Sequence, residues 1–317
     1  MATISVRPAP PFAFDLALEY LRVSPSAVIE RVHEDCYVRP VRIGGRLMIL
    51  RVSSAGSVEH PLLDVELLGD EASGDDLGEA AALTRRIFST DDDIGPLREV
   101  AGHDPIFGRL VRRYYGLRPV LIADPFETLV WAILGQQINI TFAAKLKRAL
   151  VERFGGAIEA GPLTLAVFPT PELLATLDHE RDLLPIQFSR QKSRYVIALA
   201  QAVSAGRLDL AAVSQLPADD AIAQLTQLPG IGRWTAEYCL MRGFGHRDVM
   251  PAGDGGLKQI VGREYGFGRL ATEGEVRAAG ERWAGWRGYA AFYWWFQLQQ
   301  ELQARRAKAG WRTAAQP

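Results

Sequence analysis

Cysteine is scarce: two in 317 residues, Cys36 and Cys239, far apart and in no C-x-x-C pattern. That excludes a disulfide scaffold, a cysteine-rich zinc site and an iron–sulfur cluster, and it suits a reducing cytoplasm. Long hydrophobic runs are missing as well. No stretch of about 18 apolar residues occurs, and the opening MATISVRPAP lacks the apolar segment of a signal peptide, so neither membrane insertion nor export is expected. A surplus of one charge is also absent. Lys+Arg total 36 against 37 for Asp+Glu, a formal net of −1, which at first reading argues against a nucleic-acid binder.

What is present is a globular composition, 48% hydrophobic and 23% charged, in a chain long enough for two or three domains. The near-zero charge is a cancellation. Residues 1–100 carry 10 basic and 17 acidic side chains, a net of −7, while the remainder carries 26 and 20, a net of +6; the first lysine is Lys145. Local pattern changes at about the same place. Residues 36–43 and 46–54 alternate as strands around Gly44-Gly45, which predicts a β-hairpin. The acidic stretch 70–80 reads as a loop leading into a helix at 78–88. From Pro125 onward the reading is nearly all helical, with Phe126, Leu129, Val130, Ile133 and Leu134 at three- and four-residue spacing, and Gly135-Gln136-Gln137 separating two helices.

The most informative segment is 225–236, LTQLPGIGRWTA. A helix stops at Pro229, turns through Gly230-Ile231-Gly232 and restarts at Arg233. Glycines around one residue let the backbone approach another object closely, and a fresh helix start offers unpaired N–H groups, so this is an anion site to which the Arg233 and Thr235 side chains could add donors. On spacing alone, the glycines could equally serve a tight turn and nothing more.

The LPGIGRWTA string resembles the helix-hairpin-helix motif of the DNA glycosylase superfamily. With residues 124–146, 168–175, 248–258 and 280–295, the chain is identified as a member of the alkylbase subgroup, DNA-3-methyladenine glycosylase II of the AlkA type. The resemblance implies an α+β chain. Its parts would be an N-terminal domain with an antiparallel sheet over residues 1–110, a helical subdomain over 111–225 completed by C-terminal helices, and a hairpin subdomain over 226–317. It also implies a monofunctional enzyme. Where strand-nicking relatives carry a Schiff-base lysine, this chain has Trp234, and the matching catalytic carboxylate is Asp254. By local pattern alone, Asp254 is equally a helix N-cap before GGLKQIVG. An ordinary aspartate is ionised at neutral pH, so no special activation is expected.

No His or Glu is obviously placed to protonate a leaving base, which favours alkylated purines, already cationic in the nucleoside and good leaving groups without protonation. Trp234 and Tyr238, four apart on one helix, together with Trp295, would form the base pocket by stacking; for Trp294 beside it, core packing is the default. The position after Asp254, which can hold a pocket-closing tyrosine, is Gly255 here, and the expected gap-filling position is Gln137, which could instead cap a helix. The resemblance further implies a monovalent cation on the carbonyls of Thr226, Leu228 and Gly230, no required cofactor, double-stranded DNA as partner and a monomer. Two alternatives stay open: a glycosylase for deaminated or oxidised bases, and a lesion-binding protein without catalysis.

Overall fold

The computed structural model describes residues 2–308; the end of the expected 226–317 span, residues 309–317, lies outside them. Strands β1 (Ala2–Val6), β2 (Arg31–His33), β3 (Cys36–Ile43), β4 (Arg46–Ser54) and β5 (Leu63–Leu68) form one antiparallel sheet in the order β1-β5-β4-β3-β2. The expected hairpin is β3–β4, turned at Gly44 and Gly45 with φ of 54° and 76°. Alternation along β3 and β4 sends Tyr37, Val41, Ile43, Met48, Leu50 and Val52 to one buried face. There they meet Phe14, Leu18 and Leu21 of α1 (Phe14–Val23) and Ala80, Ala81 and Ile87 of α2 (Gly74–Phe88). Helix α2 begins earlier than expected because Ser73 and Asp76 form a reciprocal capping box that starts the helix inside the acidic stretch. Helices α3 (Gly95–Gly102) and α4 (Pro105–Arg113) close this part.

Helices α5 (Pro125–Gly135), α6 (Ile140–Phe154), α7 (Pro171–Ala175), α8 (Arg190–Ser204), α9 (Leu210–Val213), α10 (Ala218–Leu225) and α11 (Arg233–Cys239) follow, then α12 (Gly255–Glu264), α13 (Glu273–Gly280) and α14 (Arg287–Lys308). The α+β fold class expected from sequence is the observed one. The nearly all-helical reading after Pro125 needs one correction. Residues 156–167 form a second antiparallel hairpin, β6 (Gly156–Ala160) and β7 (Leu163–Val167), turned at Gly161-Pro162. Its Leu165 buries against Val38 and Ile49 on the outer face of the large sheet, a contact that five-residue strands need in order to persist.

Two large cores position the site. One joins α5, α6, α8, α10 and α11. The other joins the inner face of the N-terminal sheet to α12, α13 and α14, with Trp283 between α13 and α14 and Phe292, Tyr293, Trp294 and Phe296 of α14 all buried. A buried ionic cluster ties the sheet to the first helical core. Arg39, on the inner face of β3, donates to Glu30 at 3.0 Å and to Glu127 of α5, and Lys147 of α6 donates to Glu127 and to the Ser26 carbonyl. Burial opposes the charge on Glu127, but Arg39 and Lys147 outweigh it and hold its carboxyl below the usual range.

Candidate functional site

The hairpin forms as its glycines demand. Gly230 has φ of 82°, and a Cβ there would lie 2.1 Å from the Tyr195 ring, so both conformation and close packing require glycine. Gly232 is different. It is the N-cap of α11, supplies no side-chain cap, and a Cβ there would meet nothing within 4 Å. The start of α11 thus has open space beside Gly232, room that an anion approaching a helix N-terminus would need. Arg233 stands beside them, 59% exposed, with its Nε held by Glu237 at 2.9 Å; Glu237 is buried and also pairs with Arg277 of α13 at 2.9 Å.

The Thr235 side chain is not an outward donor as expected. It is buried, and its Oγ1 accepts a hydrogen bond from Gln136 Nε2 at 3.1 Å. Its exposed neighbours aside, what Thr235 can offer an anion is its backbone amide. The same Gln136 nitrogen donates to the Gly230 carbonyl at 2.7 Å, locking the end of α5 to the hairpin. Lys192 of α8 completes the lock by donating to the Leu134 carbonyl. Of the three carbonyls expected to hold a cation, that of Gly230 thus has one partner, and that of Leu228 accepts the Ile231 amide at 3.1 Å. Gln137 is exposed, with φ of 57°, two residues before the Asn139 cap of α6.

Trp234, Tyr238 and Trp295 come together as expected. The Trp234 and Tyr238 rings are 5.8 Å apart at 34°, and Tyr238 and Trp295 are 5.8 Å apart at 47°. All three are half-buried, and the Trp234 indole nitrogen has no partner among the described residues. Trp294, by contrast, is buried against Phe107, Trp283 and Tyr265.

Asp254 caps α12, its Oδ1 accepting the Leu257 amide at 2.9 Å. That oxygen also accepts Trp295 Nε1 at 2.9 Å, so the carboxylate is built into the aromatic row. Its electrostatics correct the expectation of an unperturbed aspartate. Burial pushes the carboxyl above its ordinary value, and the bonds from Leu257 and Trp295 only partly counter that. Gly255 is exposed, and a Cβ there would meet nothing within 4 Å. Asp248 is engaged elsewhere: it pairs with Arg287 at 2.8 Å and accepts the amide that opens α14.

Three contributors had no clear sequence signal. Tyr195 and Trp131 sit in ordinary apolar helical patterns, and Gln136 differs from Gln137 only by one position. Trp131 is buried and donates its Nε1–H to the Tyr238 hydroxyl at 2.9 Å. A groove of about 920 Å³, lined by His33, Arg51, Glu71 and Glu159 among others, lies between the large sheet and the β6–β7 hairpin and contains none of the site residues.

Comparison with known proteins places this arrangement. Residues 130–285 match the HhH-GPD superfamily base excision DNA repair protein family. The chain is 32% identical over 286 residues to the DNA-3-methyladenine glycosylase of Bacillus subtilis, covering 90% of this chain and 93% of that protein. It is 31% identical over 290 residues to DNA-3-methyladenine glycosylase 2 of Escherichia coli, covering 90% and 94%. The fold of the Archaeoglobus fulgidus 3-methyladenine DNA glycosylase superposes with a TM-score of 0.82 at 24% identity, over 94% of this chain and 98% of that one.

Proposed function

The chain belongs to the helix-hairpin-helix superfamily of base excision DNA repair proteins, and from that premise we propose that it is a monofunctional DNA glycosylase that excises alkylated purines from double-stranded DNA. The damaged base turns out of the duplex, at a cost of about a few kcal/mol, and recovers about 1–3 kcal/mol per stacking contact within the pocket of Trp234, Tyr238 and Trp295. Asp254 then stabilises the positive charge that grows on the deoxyribose as the N-glycosidic bond lengthens, and it orients the attacking water. Purines methylated at N3 or N7 are cationic and leave without prior protonation, so one carboxylate suffices. With Trp234 at the hairpin position, no amine stands there to form a Schiff base, and the product is an abasic site with an intact strand.

The hairpin holds the DNA backbone. The amides of Arg233, Trp234 and Thr235, reached across Gly232, and the Arg233 guanidinium bind phosphate, while Gln137 fills the gap that the turned-out nucleotide leaves. The chemistry requires no cofactor; a sodium or potassium ion on the free lone pairs of the Thr226, Leu228 and Gly230 carbonyls would add one more contact to the same phosphate. The chain acts as a monomer. With a surplus of +6 beyond residue 100, few counterions are released and the salt dependence of binding is shallow.

The observation that carries this reading is the bond from Trp295 to Asp254, which joins the carboxylate to the aromatic row. Incubation with methylated duplex DNA followed by alkaline cleavage tests it. Strand breaks that appear only after alkali are expected, and their absence would leave only a lesion-binding protein. The open space at Gly255 supports a second reading, a range that extends to deaminated or oxidised bases. Competition between duplexes carrying hypoxanthine, an oxidised guanine and 3-methyladenine decides its extent.

A further inference from the structure

Trp131 fixes what the Tyr238 hydroxyl can do. An indole nitrogen only donates, so the 2.9 Å contact makes the phenol oxygen the acceptor. The phenol proton is then directed to the other side of the oxygen, and among the described residues no acceptor receives it. Burial pushes the phenol up, so the proton is retained at any working pH. Trp131 is itself held in place: it is buried, and the Lys147 ammonium lies 5.7 Å from its ring centre.

The order of groups along the site gives this proton a target. Asp254 bonds to Trp295, the Trp295 ring lies 5.8 Å from that of Tyr238, and the Tyr238 hydroxyl meets Trp131. A purine whose deoxyribose sits at Asp254 is attached there through N9 and presents its opposite edge, which carries position 6, to the far end of the row. A carbonyl at position 6 accepts a hydrogen bond. An amino group at position 6 sets donor against donor and leaves both unsatisfied.

We propose that the Tyr238 hydroxyl is a directional donor that favours purines with a carbonyl at position 6, and that Trp131 is the residue that positions it. This rests on the glycosylase reading above and names the substrate class within it. The Tyr238 O–H lies in its ring plane, so the base stacks on the tryptophans and meets Tyr238 at its edge; the ring also fills space in the site, so the test must separate ring from hydroxyl.

Methylated DNA contains 7-methylguanine, with a carbonyl at position 6, and 3-methyladenine, with an amino group there. Both are cationic, so leaving-group charge is matched. The ratio of their release rates in one digest is independent of how much of the enzyme is folded. Tyr238→Phe keeps the ring and removes the hydroxyl; the ratio of 7-methylguanine to 3-methyladenine release is expected to fall about five-fold. Trp131→Phe keeps the hydroxyl and frees its direction, and the ratio is expected to fall in the same sense by a smaller factor. An unchanged or increased ratio in both variants overturns the proposal. A wild-type chain that releases neither base defeats the glycosylase reading itself, which is a different outcome from an active enzyme whose ratio does not move.

Discussion

Trp295 Nε1 and the Leu257 amide both bond to the same oxygen of Asp254, Oδ1, each at 2.9 Å. One oxygen is therefore committed to holding the carboxylate in place. The proposed role at the sugar then falls to Oδ2. Sequence left the N-cap and catalytic roles of Asp254 compatible, and the cap occupies Oδ1.

Asp254→Asn is expected to abolish excision, by about 10²-fold or more, without weakening the fold. Asparagine caps a helix as well as aspartate does. The sign of the stability effect follows from burial. Because the folded-state pKa of Asp254 is raised, its contribution is fully present below the ordinary carboxylate value and is lost as pH rises through the folded value. At neutral pH the ionised form is thus a liability. Thermal unfolding at about pH 7 and about pH 3.5 checks this: the variant should gain on the wild type more at the higher pH.

Trp295→Phe keeps a ring in the row and removes the indole donor. That donor counters the effect of burial, so the Asp254 pKa should rise further in the variant. The acid limb of kcat/KM moves to higher pH, and the rate at neutral pH falls about ten-fold, as expected for losing a bond to a charged group. A pH–rate profile whose acid limb stays in place would show that Trp295 acts by packing alone.

The two hairpin glycines should respond differently to alanine. Gly230→Ala meets the Tyr195 ring and a left-handed backbone, and should cost more than about 1 kcal/mol of stability. Gly232→Ala meets open space and should change stability by no more than about 0.5 kcal/mol, yet weaken DNA binding, because the new methyl stands where a phosphate approaches. Melting temperature and fluorescence anisotropy on the same samples separate the cases.

Lys147→Met removes one of the two cations in the cluster of Arg39, Glu30, Glu127 and Lys147, all buried. Leaving a buried carboxylate short of a partner costs about 3–5 kcal/mol. The double variant with Glu127→Gln restores charge balance, so denaturant unfolding should show it recovering part of that loss.

What sequence could reveal follows from range. The Gly-Gly hairpin of β3–β4, the cap at Asp254 and the glycine turn at 230–232 are local, and neighbouring residues suffice to specify them. The β6–β7 hairpin was equally local, with Ile158 and Ala160 alternating toward Leu163 and Leu165 across Gly161-Pro162, but each run is only five residues and sits among helices. The contacts that tune the site are not local. Trp131 and Tyr238 lie 107 positions apart and Gln136 and Thr235 lie 99 apart. No periodicity in one strand or helix records such a meeting. The raised pKa of Asp254 escaped for the same reason: the side chains that bury it come from other segments.

The shared core sets an order of events during synthesis. Phe292, Tyr293 and Phe296 of α14, the same helix that brings Trp295 to Asp254, pack on Tyr20 of α1, Phe107 of α4 and Tyr114. A nascent chain therefore carries Tyr20, Phe107 and Tyr114 without their aromatic partners until its last described helix leaves the ribosome, a state that invites chaperones. Completion of that core and delivery of Trp295 to Asp254 then happen together. A chain arrested short of α14 is thus a client for proteolysis.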